Sequence, residues 1–342
     1  MFRQFPCCSV IIIVLVALLG LASGAYSQED TTEVSVDGSI HEPRELLQIA
    51  EKSSVLYLIE LLPEDTLLEE EGLTVLPPDY YRDTSGGDIT LMKYETSDPV
   101  EALLATAEGA FGAKDYQSAL KLYREMLKLD PQYYCVLTLI GDAWYMMEEY
   151  DSAVVAFQRA IEYNYINYQS HWFLADTYWK LGEKEKAVKE LTIAHVLNRN
   201  HSTLKEVLME RREDIGRPWK DWEFKPQYIL EKIGDSVRVA AKESWLGYAL
   251  AKALWKYEPG YRQKMSQDAS NSSQWSTLEE KEALFQCMAF PEQHETLMRI
   301  LNSGYASEFL YYEIMATRYP ATVLMMPEPV SDRLIEYINT FH

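Results

Sequence analysis

The chain has 342 residues, with 32 Lys and Arg against 53 Asp and Glu, a formal charge of -21 and a pI near 4.7. Phosphate backbones are held by clustered Lys and Arg, and the sequence contains no such cluster, which excludes nucleic acid as a ligand. A hydrophobic content of 47% with 12% aromatics supplies packed cores and excludes a disordered acidic polymer, and the length admits two or three domains.

Residues 1–25 place Arg3 ahead of an apolar run from Val10 to Leu21, followed by the small residues Ala22, Ser23, Gly24 and Ala25. These are the parts of a secretory signal peptide, and the run falls short of the roughly twenty residues that a spanning helix needs. The expected location is therefore exported, periplasmic or secreted, after cleavage behind Ala25 or Ser27; a retained N-terminal signal anchor is the alternative reading. Two cysteines then remain, Cys135 and Cys287, too few for a disulfide scaffold and expected as unpaired, at least partly buried thiols.

Residues 26–98 form an acidic segment. Most of the charge excess sits here, with 18 acids against 4 bases in residues 26–100. After a polar start through Ile40, a helix opening at Pro43 is expected to carry Leu46, Leu47, Ala50, Tyr57, Leu58 and Leu61 before Pro63 stops it. The turn residues Ser85, Gly86, Gly87 and Asp88 precede Ile89, Leu91 and Met92, which read as a short strand or extended segment. The leucines of this region are expected to pack on the open N-terminal end of residues 99–202.

From 99 to 202 the sequence repeats with a period of 34. Ala119, Ala153 and Ala187 mark the period; Tyr123, Phe157 and Leu191 come four residues after them, and Met126, Ala160 and Ala194 seven after. Ala107, Gly141 and Ala175 precede them by twelve, and Tyr116 and Tyr150 by three, with Lys184 breaking that last pattern in the third unit. Counted from Val100, Tyr134 and Tyr168, this resembles the tetratricopeptide repeat, with Ala110, Tyr165 and Arg199 as departures from the family pattern. The resemblance implies a mainly α fold, a right-handed superhelical solenoid of helix hairpins whose small residues let paired helices cross closely.

In such a solenoid the first helix of each unit lines the concave face. The resemblance places Glu108, Asp142 and Asp176 at one groove position and Phe111, Tyr145 and Trp179 at another, with Trp172 beside them in the third unit. A row of carboxylates beside a row of aromatic faces suits a basic, partly apolar peptide. An alternative is that aromatics are simply common at this position of the family the repeat resembles, and that the acids are a solvated face. Family members that clamp a terminal carboxylate present Lys and Asn at the matching positions; this chain lacks them, and that ligand is not expected.

Residues 203–342 read as a helical region. It opens with a capping helix from Thr203 that turns Leu204, Val207, Leu208 and Ile215 inward and Glu206, Glu210, Arg211 and Arg212 outward. Further helices are expected from Asp235 to Trp255, from a capping box at Thr277 and Glu280 to Phe290, and at 292–303, 305–318 and 330–341. A polar loop is expected between Gln267 and Ser276.

No metal or cofactor is expected, because the six histidines lack ligand spacing and no paired-Cys, HExxH, GxSxG or phosphate-loop motif occurs. His294 with Glu292 and Glu295 reads as a surface face, and His171 as a packed residue. The adjacent carboxylates Glu148 and Glu149, and those from Glu69 to Glu71, diverge on a helix and make no acid and base pair. The function expected is a non-enzymatic exported interaction module or scaffold that binds a peptide segment of another envelope or secreted protein. Two alternatives stand beside it: an enzyme with its active site in 203–342, and a self-associating component of an envelope assembly.

Overall fold

The computed structural model describes residues 40–68, 72–220, 222–265 and 276–342. The signal peptide, Glu69 to Glu71 and the polar loop through residue 275 lie outside them. In chain order the elements are α1 (Pro43–Lys52), β1 (Leu56–Leu61), β2 (Tyr80–Asp83), β3 (Thr90–Lys93), α2 (Asp98–Gly112), α3 (Tyr116–Leu129), α4 (Tyr134–Met146), α5 (Tyr150–Tyr163), α6 (Tyr168–Lys180), α7 (Lys184–Leu197) and α8 (Ser202–Asp214). They continue with β4 (Tyr228–Ile233), β5 (Ser236–Ala241), α9 (Leu246–Tyr257), α10 (Tyr261–Met265), α11 (Thr277–Cys287), α12 (Glu295–Asn302), α13 (Ala306–Phe309), a π-helical turn (Leu310–Met315), α14 (Pro320–Met325) and α15 (Asp332–Phe341). Contacts divide the described residues into two compact units, one drawn from residues 40–68 and 224–310 and the other from residues 72–223 and 311–342. These units cut across the sequence boundaries 26–98, 99–202 and 203–342, because both flanks contribute to each unit.

In the second unit, α2 to α8 form a solenoid in which each helix packs chiefly on its neighbours in sequence. The helices keep the 34-residue register of the sequence: α4, α6 and α8 start at Tyr134, Tyr168 and Ser202, and α3, α5 and α7 at Tyr116, Tyr150 and Lys184. Thus α8 is a further first-type helix in the same register. Its cap is His201, whose Nδ1 accepts from the Leu204 N–H, and not Thr203. Arg212 points inward as well, buried beneath Trp219 and donating to the Arg217 carbonyl and Asn339.

Close crossing explains the small residues. A Cβ at Gly141 would lie 2.5 Å from the Phe157 ring, and Ala107, Ala119, Ala153, Ala160 and Ala194 are fully buried. The turn inside each hairpin needs a left-handed residue: Lys114 and Glu148 both take φ 63°, and in the third unit Gly182 supplies φ 79°.

An extended strap, residues 74–94, crosses the turns between units. Asp130, Asn164 and Asn198 end α3, α5 and α7 at successive 34-residue intervals, and each grips the strap. Asp130 accepts from the Tyr94 hydroxyl at 2.8 Å, and Asn164 donates to the Tyr80 carbonyl at 2.8 Å. Asn198 accepts from the Leu76 N–H and donates to the Leu76 carbonyl. Within the strap, β2 and β3 pair antiparallel around the Ser85 to Asp88 turn; the turn and the strand after it are those the sequence suggests, and the pairing with β2 is not read there.

Farther along, α14 and α15 pack on α7. Arg82 of the strap donates to the carbonyls of Leu324 at 2.5 Å and Pro327 at 3.1 Å. Beneath them Glu313 accepts from Tyr337 at 2.9 Å and pairs with His342 at 2.6 Å, and His195 meets the Tyr312 hydroxyl at 3.0 Å. Burial pushes the His195 pKa well below its ordinary value, and Arg199 adds to the shift.

The first unit contains a sheet of order β1-β5-β4, with β1 parallel and β4 antiparallel to β5. This corrects two sequence expectations. The helix from Pro43 stops at Lys52, and its continuation, Leu56 to Leu61, is the strand β1; the stretch from Asp235 becomes β5 before α9 begins. β4 and β5 meet through the two-residue turn Gly234 and Asp235, a hairpin signature with Gly234 at φ 60°. Against the sheet, α9 packs on α11.

The expected capping box on α11 does not form. Ser276 caps the helix by accepting from the Glu279 N–H, because the Glu280 carboxylate is buried instead on Tyr248 and Lys252. His294 is likewise no surface residue: it is buried, its Nε2 bonds to the Ser244 carbonyl at 3.0 Å, and its ring sits 4.6 Å from that of Trp245.

Candidate functional site

The candidate site is built on α2, α4 and α6, the first helices of the three units. Their shared register brings Glu108, Asp142 and Asp176 into one electrostatic row. Glu108 accepts from the Tyr123 hydroxyl at 3.2 Å. Asp142 is half-buried, and no hydrogen bond or ion pair joins it to another described residue. Burial, with Glu108 adding its negative charge, pushes the Asp142 carboxyl up to about 6. Burial also raises the Asp176 pKa, opposed by the charges of Arg211 and Lys180.

The aromatic row has a structural task that the sequence reading does not assign to it. Phe111 packs edge-on against Tyr116 at 5.2 Å, and Tyr145 against Tyr150 at 5.5 Å, each pair tying the two helices of a hairpin. In the third unit Lys184 replaces the second aromatic, and its Nζ lies 4.9 Å from the centre of the Trp179 ring. The break in the aromatic pattern is thus a cation–π contact in the same place. Trp172 stands apart from this row, with its ring edge on His201 at 5.6 Å. All four aromatics stay partly exposed, so part of each remains open to solvent.

Sequence reasoning places Arg211 on an outward face and misses its part in the site. Arg211 lies 4.3 Å from the centre of the Trp179 ring and acts electrostatically on both Asp176 and Tyr145. The signal that finds it is the 34-residue register carried one unit further, to Ser202.

Elsewhere the buried polar groups serve packing. On α11, Glu282 receives His41, Trp255 and Tyr261, and Glu280 and Glu279 hold Lys252. Burial opposes the Lys252 charge, but Glu280 and Glu279 outweigh it and hold its pKa above the ordinary value. His171 is buried and bonded to Glu190 at 2.7 Å. Cys135 and Cys287 are unpaired and at least partly buried, as expected; burial pushes the Cys135 thiol up to about 11 and the Cys287 thiol higher still. A small cavity of about 30 Å³ lined by Leu46, Leu47, Leu61, Leu250 and Phe290 has room for about two waters. Among the described residues no group of three or more His, Cys, Asp or Glu is arranged to hold a metal ion, and no helix is long and apolar enough to cross a membrane.

Comparison with known proteins agrees with the helix register. Two tetratricopeptide-repeat family models match, one over residues 110–165 and the other over 139–194. Protein bimA of Emericella nidulans is 28% identical over 104 residues, which is 30% of this chain and 13% of that protein, so the chain spans a small part of its relative's length. Among solved structures, the first repeat domain of Spaghetti (RPAP3) bound to an HSP90 peptide is 16% identical at a TM-score of 0.34, covering 35% of this chain and 96% of that one. The Yersinia enterocolitica type III secretion chaperone SycD, in complex with a peptide of the translocator YopD, is 22% identical at a TM-score of 0.33, covering 35% and 95%. With the family models matching over the helices whose 34-residue spacing the structure keeps, this chain is a tetratricopeptide-repeat protein across that segment.

Proposed function

We propose that this protein is an exported, non-enzymatic interaction module whose repeat groove takes a basic, partly apolar peptide segment of another envelope or secreted protein. The observation that carries the reading is Asp142, a half-buried carboxylate that no other described residue pairs with, whose charge is felt by the Tyr145 ring and whose surroundings Glu108 makes more negative. A half-buried carboxylate beside a second acid is held at some electrostatic cost, and an incoming Lys or Arg side chain relieves that cost. Neighbouring aromatic surface adds cation–π and apolar contact. Export rests on Arg3 and the apolar run Val10 to Leu21, and the mass of the mature protein recovered from its source tests it: an uncleaved N-terminus rules out the signal peptide.

Selection from a displayed library of random peptides tests the groove. Wild type is expected to enrich sequences that combine Lys or Arg with Leu or aromatics, and Asp142→Lys with Asp176→Lys to lose that enrichment. Identical peptides from both proteins would sink the proposal.

A further inference from the structure

Each repeat sets a carboxylate one helical turn ahead of an aromatic ring: Glu108 before Phe111, Asp142 before Tyr145, Asp176 before Trp179. In the third pair a cationic side chain from the next first-type helix stacks on the ring. Arg211 of α8 lies 4.3 Å from the centre of the Trp179 ring, and its charge acts on Asp176. One unit back in the 34-residue register, the residue matching Arg211 is Thr177, and two units back it is Ala143. Thr177 is fully buried and its hydroxyl is turned back to the Phe173 carbonyl at 2.7 Å. Neither residue is long enough to do for Tyr145 or Phe111 what Arg211 does for Trp179.

The fold therefore holds an example of the chemistry proposed for its ligand. A guanidinium against an indole, within electrostatic reach of a carboxylate, is what a basic peptide would supply, and here the protein supplies it from its own α8. Resting on the groove reading above, we infer that Arg211 is a tethered competitor: alongside Lys184 on the same ring, it takes the third repeat's cation seat on Trp179, within reach of Asp176. The seat at Glu108 and Asp142 is left as the open one. A basic segment enters at Asp142 and extends over the third repeat only by displacing Arg211. Arg211 thus sets how many basic side chains the groove takes at once.

Binding of the labelled peptide acetyl-Leu-Arg-Leu-Arg-Leu-amide, followed by fluorescence anisotropy at low salt, tests this. Arg211→Met is expected to tighten binding about three- to five-fold, in line with the strength of an exposed cation–π contact. Lys180→Met also removes a positive charge near Asp176 but leaves the Trp179 seat filled, and is expected to change binding less. Asp142→Asn is expected to weaken binding in either background. Amide hydrogen exchange of α8 shows whether Arg211→Met keeps that helix folded, and Arg211→Gln repeats the test should it fray. Equal tightening by Lys180→Met, or none by either Arg211 variant with α8 protected, overturns the tethered competitor while a loss in Asp142→Asn preserves the groove. Absence of binding by wild type and every variant overturns both.

Discussion

The side-chain amide of Asn198 closes two hydrogen bonds on the backbone of Leu76, accepting from its N–H at 3.1 Å and donating to its carbonyl at 2.9 Å. Both residues are buried, so neither backbone group has water as a substitute. Asn198→Ala is expected to cost about 2–3 kcal/mol, the penalty for leaving buried polar groups unpaired. Urea unfolding of the full chain measures it, and the Leu76 amide should lose its hydrogen-exchange protection.

Gly141 is required by Phe157. Gly141→Ala sets a methyl group against a ring with no free volume around it, and overpacking of this kind costs about 1–3 kcal/mol. Adding Phe157→Leu should recover part of that loss, and a double-mutant cycle reads the coupling. Additive effects would show that the two side chains do not meet.

Lys114 and Glu148 hold left-handed backbone that only glycine adopts without cost. Lys114→Gly and Glu148→Gly are each expected to raise stability by about 0.5–1 kcal/mol, and Gly182→Ala to lower it by a similar amount. Thermal melts of the three variants check the signs.

Asp142 makes stability depend on pH. Its carboxyl is raised to about 6 in the folded state, so the fold favours the protonated form. The penalty is fully present above about pH 6 and is relieved as pH falls from there through the unfolded value near 3.8. Asp142→Asn is therefore expected to be more stable than wild type by about 1 kcal/mol at neutral pH, a figure discounted for its solvent contact. The gap should close below about pH 4, and urea midpoints across pH measure it. The same titration makes peptide binding weaken as pH drops below about 6.

Lys252 holds Glu279 and Glu280 together in the first unit. Lys252→Met leaves Glu279 with Arg262 but the buried Glu280 carboxylate with the neutral Tyr248 hydroxyl and no cation among its described partners, and breaking such a set by removing one partner costs about 3–5 kcal/mol. Thermal unfolding followed by the near-ultraviolet signal of the tryptophans of that unit should show a lower transition.

The solenoid is legible in the sequence because a 34-residue period constrains many positions at once, and the small residues Ala119, Ala153 and Ala187 have one steric reason. The sheet is not, because β1 and β5 are short and their pairing joins residues far apart in sequence, such as Leu56 and Ser236. Tyr57, Leu58 and Leu61 fit a helical spacing as well as a strand until that partner is known. A local hairpin signal does exist at Gly234 and Asp235, but the helical spacing around it masks it. On α11, Glu279, Glu280 and Glu282 look like a solvated face, and it is partners elsewhere in the sequence, among them Lys252, Tyr248, Trp255 and His41, that make them interior. At the groove the acids are readable by position, whereas Arg211 is hidden by its place on a helix that reads as a cap.

The strap also sets an order on assembly during synthesis. Tyr94 waits 36 residues for Asp130, Tyr80 waits 84 for Asn164, and Leu76 waits 122 for Asn198. No grip can close before its second partner has left the ribosome, so the strap fastens backwards, from its C-terminal end to its N-terminal end, as each repeat is completed. The stretch made first is secured last, and until the third unit emerges it is the part of the solenoid most open to a protease or a chaperone.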